Sequence, residues 1–194
     1  MGPRRRGPRD ERSEAWEPAG FSKLGSMSVI RSATPADVPA ILQMIHELAV
    51  YEKEPDAVKN TPEMLHGVLF GDNPRVYANI AENDAGEVRG FALWFLNYST
   101  WEGVHGIYLE DLYVTPEARG EGHGKALLQH LAATAVENGY ARVEWSVLDW
   151  NEPSIAFYES LGAVPMDEWT TFRLTGNALA SFGAAAFDES LARG

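Results

Sequence analysis

Apolar residues at Val38, Ile41, Ile45, Leu48 and Ala49 recur at the three-and-four spacing of a helix that buries one face. Thr34-Pro35-Ala36-Asp37 precedes them as a start signal, with a Thr cap, Pro at the first helical position and an acid in the first turn. Thr61-Pro62-Glu63 repeats that signal for a second helix ending near Gly71. Ahead of both, Val29–Arg31 reads as a short strand. The runs Val76–Ala81 and Val88–Tyr98 flank the turn-rich Glu82-Asn83-Asp84-Ala85-Gly86-Glu87 and predict a hairpin, with Gly106–Val114 as the next strand. A long helix is predicted from about Gly122 to Asn138, closed by Gly139 where a left-handed residue ends helices. Arg142–Leu148 reads as a strand, Pro153–Leu161 as a helix closed by Gly162, and Trp169–Leu174 as a last strand. Antiparallel strands followed by a strand–helix–strand–helix unit with parallel pairing predict one α/β (or α+β) domain with a mixed, mostly antiparallel sheet.

With 194 residues the chain can bury a sizeable core, and 45% apolar residues is a globular composition. There are no cysteines, which removes disulfides, thiolate metal sites and a cysteine nucleophile. No apolar run reaches the ~18 residues of a spanning helix. The N-terminal MGPRRRGPRDERSEAWEPAG lacks the apolar core of a signal peptide, so the expected location is the cytoplasm. Residues 1–26 read as a disordered leader, with Met27 a candidate initiator.

The formal charge of −12 is unevenly placed. Residues 1–26 hold six Lys or Arg and four acids, leaving ten bases against 24 acids in the rest. A body this acidic repels phosphate backbones, which argues against nucleic acid as a partner and suits small cations. No membrane partner is expected.

The chemistry concentrates in Val114–Ala126. A predicted strand runs into Thr115-Pro116-Glu117-Ala118, then Arg119-Gly120-Glu121-Gly122-His123-Gly124-Lys125, then an apolar helix. Alternate glycines leave backbone N–H groups uncovered beside the positive end of a helix, and Arg119 and Lys125 add positive charge. That is a pyrophosphate cradle. A P-loop would need Gly at 119, which is Arg, and Ser or Thr at 126, which is Ala. The dinucleotide fingerprint G-x-G-x-x-G is also absent, because the spacing here is G-x-G-x-G.

Arg119-Gly120-Glu121-Gly122-His123-Gly124 resembles the Arg/Gln-x-x-Gly-x-Gly motif of the GNAT superfamily of N-acetyltransferases. Leu109-Glu110-Asp111-Leu112-Tyr113-Val114, Asp149-Trp150-Asn151-Glu152-Pro153-Ser154 and Phe157-Tyr158-Glu159-Ser160-Leu161-Gly162-Ala163 resemble the diamine (spermidine/spermine) acetyltransferase family. Val29-Ile30-Arg31 and Glu47-Leu48-Ala49-Val50-Tyr51-Glu52 do so too. The likeness spans about residues 27–175. It implies a GNAT domain over 27–176, a tail over 177–194 (a short helix with a loose end), and a sheet splayed at the acetyl-CoA site.

Such a site runs the attack of a neutral amine on a thioester. It needs a cofactor seat, a route for the ammonium proton, and a proton for the leaving thiolate. The resemblance implies that Leu112, Tyr113 and Val114 pair their backbone with the pantetheine arm. It implies that Gly120, Glu121, Gly122, His123, Gly124 and Lys125 hold the pyrophosphate, with Arg119 supporting the loop by charge. Asn151 and Ser154 would touch acetyl-CoA from the other side, and Tyr158 would protonate the thiolate sulfur. Without the resemblance, Tyr158 would read as part of the apolar stripe Ile155, Phe157 and Leu161. His123 occupies a variable position of the motif.

Glu110 is the expected base, because neighbours in a strand face opposite sides and the family match favours Glu110 over Asp111. Tyr51 and Glu52 would line the far end of the amine channel, and Glu144, Trp145 and Ser146 its wall. Trp101, Trp145 and Trp150 could offer ring faces to an ammonium, though tryptophans more often pack in cores. His46, His66, His105, His123 and His130 show no metal-ligand spacing, and no metal is implied.

Tyr98-Ser99-Thr100-Trp101 and Leu148-Asp149-Trp150-Asn151 look more like the thialysine-acetylating branch than the polyamine branch, which tends to carry an acid where Ser99 stands. A lysine-like ω-amine with its own carboxylate is therefore a rival to spermidine or spermine. Two other readings remain open: a non-catalytic acyl-CoA-binding sensor on the same fold, and a protein lysine or N-terminal acetyltransferase. The resemblance also implies a homodimer.

Overall fold

The computed structural model describes residues 28–191, so the expectations for the leader and Met27 lie outside the described residues. The chain divides into two compact units, the first reaching Ser146 and the second starting at Val147. The class is α/β as expected: a five-stranded mixed sheet flanked by helices.

Five strands, β1 Val29–Ser32, β2 Tyr77–Glu82, β3 Val88–Ser99, β4 Val104–Val114 and β5 Val143–Trp145, lie side by side in chain order. The first three pairings are antiparallel and β4 with β5 is parallel. The predicted hairpin forms because Asn83 Oδ1 accepts the N–H groups of Ala85 and Glu87, while Gly86 takes a positive φ of 76°.

Helix α1, Val38–Tyr51, follows a short 3-10 turn at Pro35–Asp37. Its start is locked by Asp37, whose carboxylate accepts from the Thr34 N–H, the Thr34 hydroxyl and the Arg31 guanidinium at 2.7–2.8 Å. The Arg31 bond, followed by the Thr34 bonds, outweighs desolvation and holds the Asp37 carboxyl at about 2. Helix α2, Pro62–Phe70, is capped by Thr61 and ends at Gly71, as the start and stop signals predict. Ile41, Met44, Leu65 and Leu69 from these two helices pack on Ile80, Phe91, Leu93 and Tyr113 of the sheet. Helix α3, His123–Glu137, lies against strands β1 to β5 and buries Leu127, Leu128, Leu131 and Ala135.

The end of α1 has no glycine. Lys53 takes φ 66° in its place, and the N–H groups of Lys53 and Glu54 turn back to the carbonyls of Val50 and Ala49. This left-handed turn sets Glu52 at the helix end and launches the segment that leads to Lys59.

The second unit holds α4, Glu152–Ser160, and α5, Gly176–Leu191. Three expectations are corrected here. Trp169–Leu174 is not a strand: its residues are irregular and exposed, with Phe172 92% exposed. A strand is held by a neighbouring strand's backbone, and the described residues of this unit contain no other. The tail helix is also longer than expected, since α5 runs for 16 residues, and the expected loose end falls on 192–194, outside the described residues. The expected strand Arg142–Leu148 shrinks to the three residues of β5. No described helix is long and apolar enough to cross a membrane.

Candidate active site

The parallel pairing of β5 with β4 stops at Leu109↔Trp145, whereas β4 continues to Val114. From Glu110 to Val114 that edge of β4 has no neighbouring strand among the described residues, and it is the edge along which the family resemblance expects the cofactor arm. An unpaired strand edge presents main-chain donors and acceptors that an extended amide-bearing ligand can satisfy. Tyr113 contributes backbone here, because its ring is buried in the core under α1; burial and a hydrogen bond to Glu47 raise its phenol above the ordinary range.

The strand then runs through a 3-10 turn, Pro116–Ala118, into the glycine loop. Gly120 and Gly122 adopt φ 87° and 93°, which disfavours any residue with a Cβ, and a Cβ built on either meets nothing within 4 Å. Open space thus lies over the turn at the N-terminus of α3, where the first N–H groups of a helix lack intrahelical partners. Lys125 is exposed in that first turn. A pyrophosphate fits this seat in shape and charge.

Two loop residues play parts that spacing did not reveal. Arg119 packs its guanidinium over the rings of Tyr51 and Tyr113, 5.2 and 5.7 Å from their centroids, and its Nε donates to the Val114 carbonyl at 3.2 Å. It fastens the loop to α1 and the end of β4. His123 is buried, with Nδ1 2.7 Å from Ser28 Oγ and Nε2 3.3 Å from the Glu121 carboxylate. Its side chain faces the protein, so only its backbone is offered to the cradle.

On β4 the register with β3 jumps from Leu93↔Asp111 to Trp94↔Leu109, which makes Glu110 the extra residue of a β-bulge. The expected alternation therefore fails at this point. Glu110 and Asp111, neighbours in sequence, both line one cavity of about 410 Å³, together with Glu52, Glu54, Lys59 and Asn60 and an aliphatic wall that includes Leu48. Asp111 is raised to about 6, first by burial and then by the charges of Glu110 and Glu52. Partial burial also pushes the Glu52 carboxyl up. A carboxyl at about 6 inside an acid-rimmed cavity can take a proton from a bound ammonium near neutral pH.

The other predicted residues fall elsewhere. Tyr51 sits under Arg119 rather than in the cavity lining. Glu144 is bonded to Asn97 and Arg142 at 2.6 and 2.7 Å, and Ser146 Oγ lies 2.9 Å from the Tyr108 hydroxyl. Neither lines the cavity, nor does Trp145. Ser99 is buried, and its hydroxyl accepts the Glu102 N–H in the β3–β4 turn. Trp101, on the same turn, is 89% exposed and takes no part in a core.

In the second unit, Asn151 caps α4, its Oδ1 accepting the Ser154 N–H at 3.4 Å. Tyr158 is half-buried and follows Asn151 by two helical turns, which returns it to the same side of the helix. Lys59 and Asn60 were missed because they sit in a connection without periodicity, and no motif marks them.

Residues 41–163 match the model of the acetyltransferase (GNAT) family. The chain belongs to that family.

As a GNAT acetyltransferase it is an acyltransferase that moves acetyl groups to amines, with acetyl-CoA as co-substrate. It is similar to the thialysine N-epsilon-acetyltransferase of Bos taurus, 40% identical over 161 residues covering 78% of this chain and 94% of that one. It is also 34% identical to an L-ornithine N5-acetyltransferase of Arabidopsis thaliana, over 78% of this chain and 86% of the relative. Among solved GNAT-like structures, an integron cassette protein from the mobile metagenome of V. cholerae superposes with a TM-score of 0.68 at 26% identity, covering 80% of this chain and 97% of the other. A metagenomic aminoglycoside acetyltransferase, 18% identical with a TM-score of 0.65 over 77% of this chain and 97% of its own, shares the fold.

Proposed function

We propose that this enzyme transfers acetyl from acetyl-CoA to the primary ω-amine of a small cationic substrate, either a diamine or a lysine-like amino acid, by direct attack. The observation that carries the reading is the open β4 edge, which leads from the Glu110 bulge into two left-handed glycines. Along it, Leu112, Tyr113 and Val114 offer backbone to the pantetheine, and Gly120–Lys125 offer N–H groups and charge to the pyrophosphate. Asn151 and Ser154 complete the cofactor contacts by family resemblance.

In the reaction the amine nitrogen attacks the thioester carbon, forming the C–N bond as the C–S bond breaks. The ammonium proton passes to the Glu110–Asp111 pair, directly or through water, and Asp111 at about 6 is the better acceptor. The departing thiolate takes a proton from Tyr158, which is made good by the second proton the nitrogen sheds as the amide forms; the role of Tyr158 rests on the family pattern and its place two turns after Asn151. The named activities of the relatives support an ω-amine that carries its own carboxylate.

The working unit is a homodimer in the cytoplasm, with the acetyltransferase domain over 27–176 and 177–194 as tail. This part of the proposal is supported by resemblance.

The test is CoA release from acetyl-CoA in the presence of thialysine, lysine, ornithine, putrescine, spermidine and an aminoglycoside. Amine-dependent release with at least one ω-amine is expected. Tight CoA binding without release for any amine would overturn the proposal.

A further inference from the structure

The cavity under the Glu110 bulge contains a charge that a pure diamine site has no use for. Lys59 lines it beside Asn60, together with Glu52, Glu110 and Asp111. The Lys59 side chain forms no hydrogen bond or ion pair among the described residues, so its ammonium is not already neutralised by a neighbouring acid. Lys59 is exposed, while Asn60 is half-buried and brings an amide that can donate.

The consequence is a matter of sign. A diamine presents an ammonium at both ends, and a cavity lined by acids alone would attract both. An unneutralised lysine repels one of them and attracts a carboxylate, so it acts against one substrate as well as for another. A cavity of about 410 Å³ is in the range that holds a small ligand, so both ends of a short chain can lie within it.

We infer that Lys59 is the specificity residue of this cavity: with Asn60 it receives the carboxylate of an ω-amino acid while Glu110 and Asp111 receive the ω-amine. This deepens the proposed function and rests on its placing of the amine in this cavity. The bulge supplies the acids and the connection after α1 supplies the opposing charge. A free carboxylate is then what distinguishes the preferred substrate from its decarboxylated counterpart.

The experiment measures binding of L-lysine and of cadaverine, its decarboxylated analogue, to the full-length protein saturated with CoA. Calorimetry is run on wild type, Lys59→Met and Lys59→Arg at one ionic strength. In Lys59→Met the ratio of the two affinities is expected to shift about tenfold toward cadaverine, and in Lys59→Arg to stay near wild type. CoA affinity and thermal midpoint should match wild type in both variants, since Lys59 is an exposed residue of a connection. An unchanged ratio in Lys59→Met, or equal losses for both ligands, would overturn the inference. Binding is read without turnover, so a Lys59-dependent ratio in a protein that releases no CoA would count against the transfer reaction and not against Lys59.

Discussion

His123 Nδ1 lies 2.7 Å from Ser28 Oγ, a bond that ties the glycine loop to the residue leading into β1. The other imidazole nitrogen faces Glu121 at 3.3 Å. A proton on Nε2 lets His123 donate to the carboxylate and accept the Ser28 hydroxyl proton. The one acid inside the cradle is thereby held by a donor beside a seat built for an anion. His123→Ala should raise KM for acetyl-CoA about tenfold with kcat nearly unchanged, the loss expected from one freed charge-assisted bond. Adding Glu121→Gln should restore most of it. Initial rates at varied acetyl-CoA read both, and no rescue by Glu121→Gln would leave His123 a packing residue only.

Asp111 predicts opposite trends for activity and stability. Its folded value of about 6 lies above the ordinary 3.8, because burial and then Glu110 and Glu52 disfavour the charge. The stabilisation this gives is complete below about pH 3.8 and is lost as pH rises through 6. Asp111→Asn cannot ionise, so it should be more stable than wild type at pH 8, by at most about 3 kcal/mol for a shift of this size, and gain nothing at pH 3.5. Wild-type kcat/KM should rise with pH through about 6 as the acceptor deprotonates, and the variant should lose that limb. Urea unfolding and a pH–rate profile check the two halves separately.

Gly122 and Gly124 differ in what a methyl group would cost. At Gly122 the space is open and only the left-handed backbone, φ 93°, opposes a side chain, so Gly122→Ala should lose about 1–2 kcal/mol. The added methyl would also stand over the phosphate seat and weaken acetyl-CoA binding. At Gly124 a Cβ makes ordinary contact with Val114 Cγ2 at 3.7 Å inside helix α3, so Gly124→Ala should gain up to about 1 kcal/mol. Thermal unfolding of the two variants should move in opposite directions.

Tyr158→Phe should lower kcat about a hundredfold, the scale of a lost general acid, with acetyl-CoA affinity unchanged. Stopped-flow turnover paired with equilibrium CoA binding measures both. Equal losses in the two would assign Tyr158 to packing.

Much of this was legible in the chain because local signals and tertiary structure agree. Thr34, Thr61 and Gly71 mark helix ends that form where they indicate, and Gly120 and Gly122 leave the open space over the backbone that their alternation suggests. The bulge at Glu110 was illegible: no glycine or proline accompanies it, and it exists only as a mismatch between the registers of β3 and β4. Since the alternation rule assumes unbroken pairing, it separated two carboxylates that share one cavity. Trp169–Leu174 fails for the converse reason, since its strand-like composition has no neighbouring strand among the described residues of its unit. Lys59 acquires meaning only from the acids that the fold brings to its cavity.

The most direct measurement is a single turnover with isotopically labelled acetyl-CoA and an ω-amino acid, the products and the protein being read by mass spectrometry. The account predicts label on the ω-nitrogen of the amine, one CoA released per label transferred, and none retained on the protein. Label on the protein, or in free acetate at a rate indifferent to the amine, would contradict direct transfer to a bound amine.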